Sequence, residues 1–181
     1  MATEDLITPE MVEAYRAQHQ NPAYGSGGGR RWKARMIYDY LTTHRDEIKT
    51  VLDFGAGKQG FAKAAKAQGL HARITSYDPA IKGISVMPEG QFDCVVTTDV
   101  LEHVEPTKLD AVLDFCFAKA RKLNIHCIAL DLTGKYLPDG RDLHLIVESP
   151  EWWIAKLAPY GRADTWISGS GNKVTIATWK S

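Results

Sequence analysis

This 181-residue sequence predicts an α/β fold, a mostly parallel sheet with helices on both faces. Three features carry that expectation. A buried-type strand breaks into a glycine turn and a helix between Val51 and Gln68. A second strand ends on Asp78, about twenty residues past that turn, as in a strand–helix–strand unit. Two terminal strands flank a Ser/Gly/Asn turn, which predicts an antiparallel hairpin closing the sheet.

Taken in order, Thr8 to His19 opens with a Thr-Pro-Glu start signal and predicts a short helix. A Gly-rich run, Tyr24 to Gly29, leads to a second helix from Arg30 to about His44. There Trp32, Met36, Ile37, Tyr40 and Leu41 form an apolar stripe at helical spacing. Val51, Leu52 and Phe54 are strand formers suited to a sheet covered on both sides. Gly55 and Gly57 let the backbone turn sharply and approach a ligand. Lys58 to Gln68 is a helix stopped by Gly69, and Arg73 to Tyr77 is the second strand. Only about fourteen residues separate Asp78 from Phe92, too few for a full helix and strand, so the third strand is expected to be abbreviated.

Phe92 onward is a further strand ending at Asp99, followed by a turn at Leu101-Glu102-His103-Val104. Pro106 to Leu123 has helical apolar spacing with Lys119, Arg121 and Lys122 at its end, where the helix dipole favours cations. Ile125 to Leu130 is a strand. Pro150 to Leu157 is a helix with Ser149 as N-cap, and Arg162 to Ile167 and Lys173 to Trp179 form the hairpin. The whole is expected to be a single domain, with residues 1–45 as N-terminal helices and 50–181 as a ligand-binding core.

A strand, Gly-x-Gly turn, helix and distant acid suit two cofactor classes, dinucleotides and S-adenosylmethionine. Asp53, two residues before the first glycine, would face a pyrophosphate in a dinucleotide site. It suits a cofactor with no phosphate that carries an ammonium and a sulfonium. The expected cofactor site is therefore Asp53, Gly55, Gly57, Asp78 and Asp99, with Asp78 accepting from ribose hydroxyls.

The strings VLDFGAG from Val51 to Gly57, Tyr77-Asp78-Pro79 and FDCVVTTDVLEHV from Phe92 to Val104 resemble the class I S-adenosylmethionine-dependent methyltransferases. The resemblance covers roughly Val51 to Ser181 and implies a Rossmann-like sheet with a C-terminal antiparallel hairpin. It also implies methyl transfer to an oxygen or nitrogen nucleophile of a small-molecule or nucleic-acid acceptor. The sequence departs from the family at Gln59, which holds the place of its third glycine, one residue before Gly60. N-terminal helices in this family often lie over the cofactor. Tyr24 and the neighbouring glycines are either such a lid or a flexible connector, and the sequence leaves both open.

Methyl transfer needs alignment, water exclusion and, for a protonated acceptor, a base. Asp99, His103 and His144 are the catalytic candidates, with His103 also suited to a structural hydrogen bond. The loop from Thr133 to Asp142 is expected to line the acceptor pocket. Asp99-x-x-Glu102-His103 with His144 is similar to the Glu-x-x-Glu-His string, with a later His, of the small-RNA 3′-terminal ribose methyltransferases, and to a related string in ubiquinone-biosynthesis O-methyltransferases. That resemblance implies a divalent-metal-assisted RNA ribose O-methyltransferase. The shorter Asp in first position weighs against it, so the ordinary Leu-Glu-His-Val reading is preferred and no metal is assigned.

No Asn-Pro-Pro-Tyr or Asp-Pro-Pro-Tyr tetrapeptide and no Pro-Cys nucleophile follow the Phe92 strand, which argues against DNA amino and cytosine C5 methylation. Arg30, Arg31, Lys33 and Arg35 with Trp32 would suit phosphate and base contacts, but the helical stripe favours a solvated face instead. Net charge is zero, so no global field draws nucleic acid or an anionic membrane. The apolar runs are too short to span a bilayer and the N-terminus is acidic, so a cytoplasmic protein is expected. Cys94, Cys116 and Cys127 read as buried free thiols. Two rival functions stay open: a nicotinamide-dependent oxidoreductase, and a catalytically silent S-adenosylmethionine-binding partner protein.

Overall fold

The computed structural model describes residues 3–22, 24 and 31–180, and for residues 31–34 the backbone alone. The chain enters through α1 (Thr3–Leu6), α2 (Pro9–His19) and α3 (Arg31–Thr43). It then builds β1 (Thr50–Phe54), α4 (Gly60–Ala67), β2 (Arg73–Tyr77) and β3 (Phe92–Thr98). α5 (Leu109–Lys119), β4 (Ala120–Ala129), α6 (Pro150–Leu157), β5 (Arg162–Ile167) and β6 (Lys173–Trp179) complete it.

The six strands lie in the order β2-β1-β3-β4-β6-β5. β2, β1, β3 and β4 pair in parallel, and β6 pairs antiparallel with both β4 and β5. This is the Rossmann-like sheet with a terminal antiparallel hairpin that the sequence predicts. The strand order reverses between β1 and β3, so the carboxyl ends of these two strands open the crevice where such sheets bind ligands.

Successive residues of a strand face opposite sides, and the core divides accordingly. Leu52, Phe54 and Val95 pack with α5 and with Trp153 and Leu157 of α6. Val51, Cys94, Val96, Ile125 and Cys127 pack on the other face with Ile37 and Leu41 of α3 and Phe61 and Ala65 of α4. Met11 and Tyr15 of α2 form a third, smaller cluster with Ala80, Leu137 and Leu143, all on loops at the carboxyl ends of the strands. α2 is therefore a wall over the crevice.

Two boundaries differ from the sequence reading. Residues 79–91 contain no helix or strand, so the abbreviation of the third strand is complete and β2 is the sheet edge. The expected helix from Pro106 to Leu123 divides into a 3₁₀ turn, Pro106–Lys108, and α5, after which the chain is already strand at Ala120. β4 is buried on both faces from Leu123 to Ala129. A continuous apolar run of that kind has no period that separates it from the end of a buried helix.

Candidate functional site

A cavity of about 460 Å³ opens over the crevice, within the usual 300–1,000 Å³ of a small-molecule site. Gly55, Ala56, Gly57, Asp78, Asp99, His103, His144 and Lys173 are among the residues that line it. Tyr15, His19 and Tyr24 cover it from the N-terminal segment.

The glycine turn is built from both sides. Gly55 and Ala56 donate their N–H groups to Tyr77 O at 2.9 Å, which fastens the turn to β2. Gly55 has φ +73°, and a Cβ there would stand 2.6 Å from Val100 Cγ2, so the residue after Asp99 also dictates glycine. Gln59, in the place of the family's third glycine, keeps φ at +60°, the left-handed conformation a glycine adopts without strain.

Asp78 is nearly buried and receives Gly57 N–H on Oδ2 at 2.8 Å and Ala80 N–H on Oδ1 at 2.9 Å. Each carboxylate oxygen keeps a second lone pair, so these bonds orient the group without exhausting it. His19 Nε2 lies 4.0 Å from Oδ2. Burial holds the His19 imidazole below its usual pKa and the Asp78 charge opposes that.

Asp53 sits elsewhere. It is 1 % exposed, does not line the cavity, and neither of its oxygens has a hydrogen-bond partner among the described residues. Burial, with a smaller push from Asp78, raises its carboxyl to about 7.

Asp99 follows β3 with φ +56°, donates its N–H to Cys127 O at 2.9 Å, and accepts from Lys173 Nζ on Oδ1 at 2.7 Å. Lys173 lines the same cavity. Nothing in the sequence singles it out, because only the β4–β6 pairing brings it beside Asp99.

The 3₁₀ turn Leu101–His103 carries the next group. Glu102 is fully buried: Oε1 accepts Ala129 N–H at 2.8 Å, and Oε2 has no partner among the described residues. Burial and Asp99 push its carboxyl up to about 7, while its hydrogen bonds and His144 pull the other way. His103 donates Nδ1–H to Leu143 O at 2.8 Å. Its imidazole is held below the usual value, chiefly by burial. His144 donates Nδ1–H to Asp131 O, and its Nε2 lies 4.0 Å from Glu102 Oε1. The two rings meet edge to face with centroids 4.8 Å apart.

Both histidines therefore present Nε2 lone pairs, and Asp99, His103 and His144 line one cavity. Of the loop from Thr133 to Asp142, Thr133 and Lys135 reach the lining, and Asp142 closes the loop by accepting from Thr133 N, Gly134 N and His144 N. Tyr24 covers the cavity, while Gly25 to Gly29 lie outside the described residues. Of the basic set, Arg30 and the side chains of Arg31 and Lys33 also lie outside them, as does the Trp32 side chain; Arg35 is exposed and 3.6 Å from Asp39. No described helix is long and apolar enough to cross a membrane.

A family model described as a methyltransferase domain matches residues 28–151, more than half of the chain. No curated protein matches it significantly. Among solved structures, the chain is similar to 1,6-didemethyltoxoflavin-N1-methyltransferase of Burkholderia thailandensis, with its substrate and S-adenosylhomocysteine bound, at 15% identity and TM-score 0.65 over 93% of this chain and 88% of that one. It is also similar to magnesium protoporphyrin IX methyltransferase of Synechocystis PCC 6803, bound to S-adenosylhomocysteine, at 15% identity and TM-score 0.60 over 84% of each chain. A third is CalS10, an amino pentose methyltransferase of Micromonospora echinaspora bound to S-adenosylmethionine, at 12% identity and TM-score 0.59 over 93% and 97%. At such identities these likenesses bear on the fold.

Proposed function

The chain belongs to the methyltransferase domain family, and from that premise we propose that it transfers a methyl group from S-adenosylmethionine to an oxygen or nitrogen nucleophile of a small acceptor. The observation that carries the proposal is a single cavity lined by the Gly55–Gly57 turn and Asp78 and also by His103 and His144.

The residues fit this cofactor. Asp78 stands where ribose hydroxyls would donate, with a lone pair on each oxygen still available. Asp53 is a buried carboxylate without a partner among the described residues, and a cation reaching it past the turn would supply one. S-adenosylmethionine, when bound, supplies a methyl carbon already activated by its sulfonium.

The protein's own contribution is to hold and enclose. α2 and Tyr24 exclude water from above. An acceptor lone pair forms the bond to the methyl carbon as the carbon–sulfur bond breaks, and the electron pair leaves with the sulfur. The proton lost by a hydroxyl or ammonium acceptor passes to an Nε2 lone pair of His103 or His144, each ring being held in the right tautomer by its Nδ1–H bond to a backbone carbonyl. Asp99 is a positioning carboxylate, clamped by Lys173.

The RNA ribose reading has less support, since Asp99, the first acid of the string that suggests it, is paired with Lys173. Enclosure by α2 favours a small acceptor, and the three similar enzymes named above have small-molecule acceptors in their own names.

Calorimetric titration with S-adenosylmethionine, S-adenosylhomocysteine and NADH tests the proposal, in wild type and in Asp78→Ala. Saturable binding of the first two that Asp78→Ala weakens by about tenfold or more, followed by turnover on a panel of hydroxyl and amine acceptors, is expected. Preference for NADH would overturn the cofactor, and tight binding with no turnover on any acceptor would favour a silent binding partner.

A further inference from the structure

We propose that the acceptor is a small amine, which enters the cavity as an ammonium and leaves methylated on nitrogen. This rests on the methyl-transfer proposal and narrows it. The charge of the cavity wall and its aromatic rings carry the assignment.

Among the described residues, four carboxylates line the cavity, Asp78, Asp99, Glu105 and Asp131, against two ammoniums, Lys135 and Lys173. Lys173 is committed to Asp99 at 2.7 Å, and Lys135 is exposed. No described arginine lines the cavity, and Arg141, which reaches Met11 Sδ at 3.8 Å, is paired with Asp139. Burial holds the imidazoles of His19 and His103 below their usual range, so neither adds positive charge at neutral pH. S-adenosylmethionine brings an ammonium, a sulfonium and one carboxylate, and its single net positive charge offsets half of the excess. The loaded cavity therefore stays anionic and draws a cation, whereas a carboxylate or phosphate acceptor would meet no free, desolvated cation to pair with.

The rings point to the same acceptor. Tyr15 and Tyr24 both meet His103 edge to face, with centroids 6.0 and 6.4 Å apart, and His103 meets His144 at 4.8 Å. His19 meets Tyr24 at 4.9 Å, and all five rings line the cavity. The quadrupole of an aromatic ring attracts an ammonium and offers a carboxylate nothing comparable. Glu105, two residues after His103, receives Thr8 N–H and the Thr8 hydroxyl on separate oxygens and keeps a lone pair on each.

An ammonium has no lone pair, so it loses a proton before it reacts. His144 Nε2 takes that proton, and the fully buried Glu102, with Oε1 4.0 Å from Nε2, stabilises the imidazolium that results. The nitrogen lone pair then forms the bond to the methyl carbon, and the carbon–sulfur electron pair leaves with the sulfur. The product departs as an N-methylated ammonium, and His144 returns its proton to solvent. A hydroxyl acceptor would use the same base but gain nothing from the anionic wall or the rings.

The test uses benzylamine, benzyl alcohol and benzoate, one ring carrying an ammonium, a hydroxyl or a carboxylate. Each is titrated calorimetrically into full-length protein loaded with S-adenosylhomocysteine. Benzylamine is expected to bind about tenfold or more tighter than either of the others. Glu105→Gln and Asp131→Asn should each weaken benzylamine by about threefold and leave benzyl alcohol unchanged, with circular dichroism checking that each variant is folded. Benzoate or benzyl alcohol binding as well as benzylamine, no binding of any probe up to about 10 mM, or a preference undiminished in both folded variants would overturn the amine. S-adenosylhomocysteine binding is measured first and alone: its failure would overturn methyl transfer itself, whereas failure of the probes on a protein that binds it would overturn the amine and leave methyl transfer standing.

Discussion

Lys173 Nζ lies 2.7 Å from Asp99 Oδ1, an ion pair that joins the first residue of β6 to the residue after β3 across the intervening β4. Side-chain exposures of 17% and 21% keep the pair partly out of solvent. It steadies a residue whose φ of +56° most side chains resist. A double-mutant cycle of Lys173→Met with Asp99→Asn is expected to give a coupling of about 1–2 kcal/mol in urea unfolding. Asp99→Ala should cost more than Asp99→Asn, since Asn tolerates the left-handed region. Coupling below about 0.3 kcal/mol would reduce the pair to a surface contact.

Asp53 makes the stability of the protein depend on pH. Its folded carboxyl is raised from 3.8 to about 7 by burial, so the native state holds the proton over a range in which the unfolded state has lost it. For a raised carboxyl, stability is present at low pH, declines as pH rises from about 4 to about 7, and stays reduced above that. The loss is on the order of 2–4 kcal/mol for the ligand-free protein. Asp53→Asn should remove this slope, so the variant gains on wild type between pH 5 and pH 8 in denaturant midpoint. A cationic cofactor favours the ionised form, so S-adenosylmethionine affinity should rise through pH 7 in wild type and stay flat in the variant. Parallel pH profiles for the two proteins would remove Asp53 from both arguments.

The parts of this site that could be read from sequence are those that local chemistry encodes. Strand, glycine turn and helix follow one another along Val51 to Gln68, and Asp78 and Asp99 stand at strand ends, where α/β sheets place ligands. What could not be read depends on contacts across the chain. Tyr15 donates to His103 O from 88 positions away, and Lys173 reaches Asp99 only through sheet order. Glu102 reads as a polar turn residue, and no periodicity announces that its side chain is fully buried under Ala129. The start of β4 was hidden for a different reason: Lys119, Arg121 and Lys122 imitate the basic end of a helix, and the strand beyond them is buried on both faces.

Gly55 is fixed twice over, and the two causes can be separated. A Cβ would sit 2.6 and 2.8 Å from the Val100 methyls, and φ is +73°. Gly55→Ala should therefore destabilise by about 2–4 kcal/mol, from overlap and from left-handed strain together. Adding Val100→Ala removes the overlap and leaves the strain, so the double variant should recover part of the loss despite its own cavity cost. Additive losses in thermal unfolding would mean the turn shifts away from Val100 and the contact decides nothing.

α2 is held over the cavity by a few polar pins, and loosening them should be felt there before it is felt in the sheet. Thr8 caps the helix by accepting Met11 N–H, and its N–H and hydroxyl both donate to Glu105 at 3.0 and 3.1 Å. Tyr15 OH donates to His103 O at 2.6 Å, the link between this helix and the Glu102-His103 turn. Thr8→Ala removes the cap and one bond to Glu105, worth about 1–2 kcal/mol. Tyr15→Phe removes the bond to His103 and little else. Because the sheet does not depend on these bonds, the cost should appear as local opening: amide exchange should quicken across residues 9–19 and stay unchanged in β1, β3 and β4. If α2 closes the cofactor cavity, the same variants should weaken S-adenosylhomocysteine by up to about tenfold, the whole opening cost being repaid on binding. Faster exchange with unaltered affinity would make α2 a passive cover, and uniform exchange through the sheet would show that it is part of the global folding unit instead.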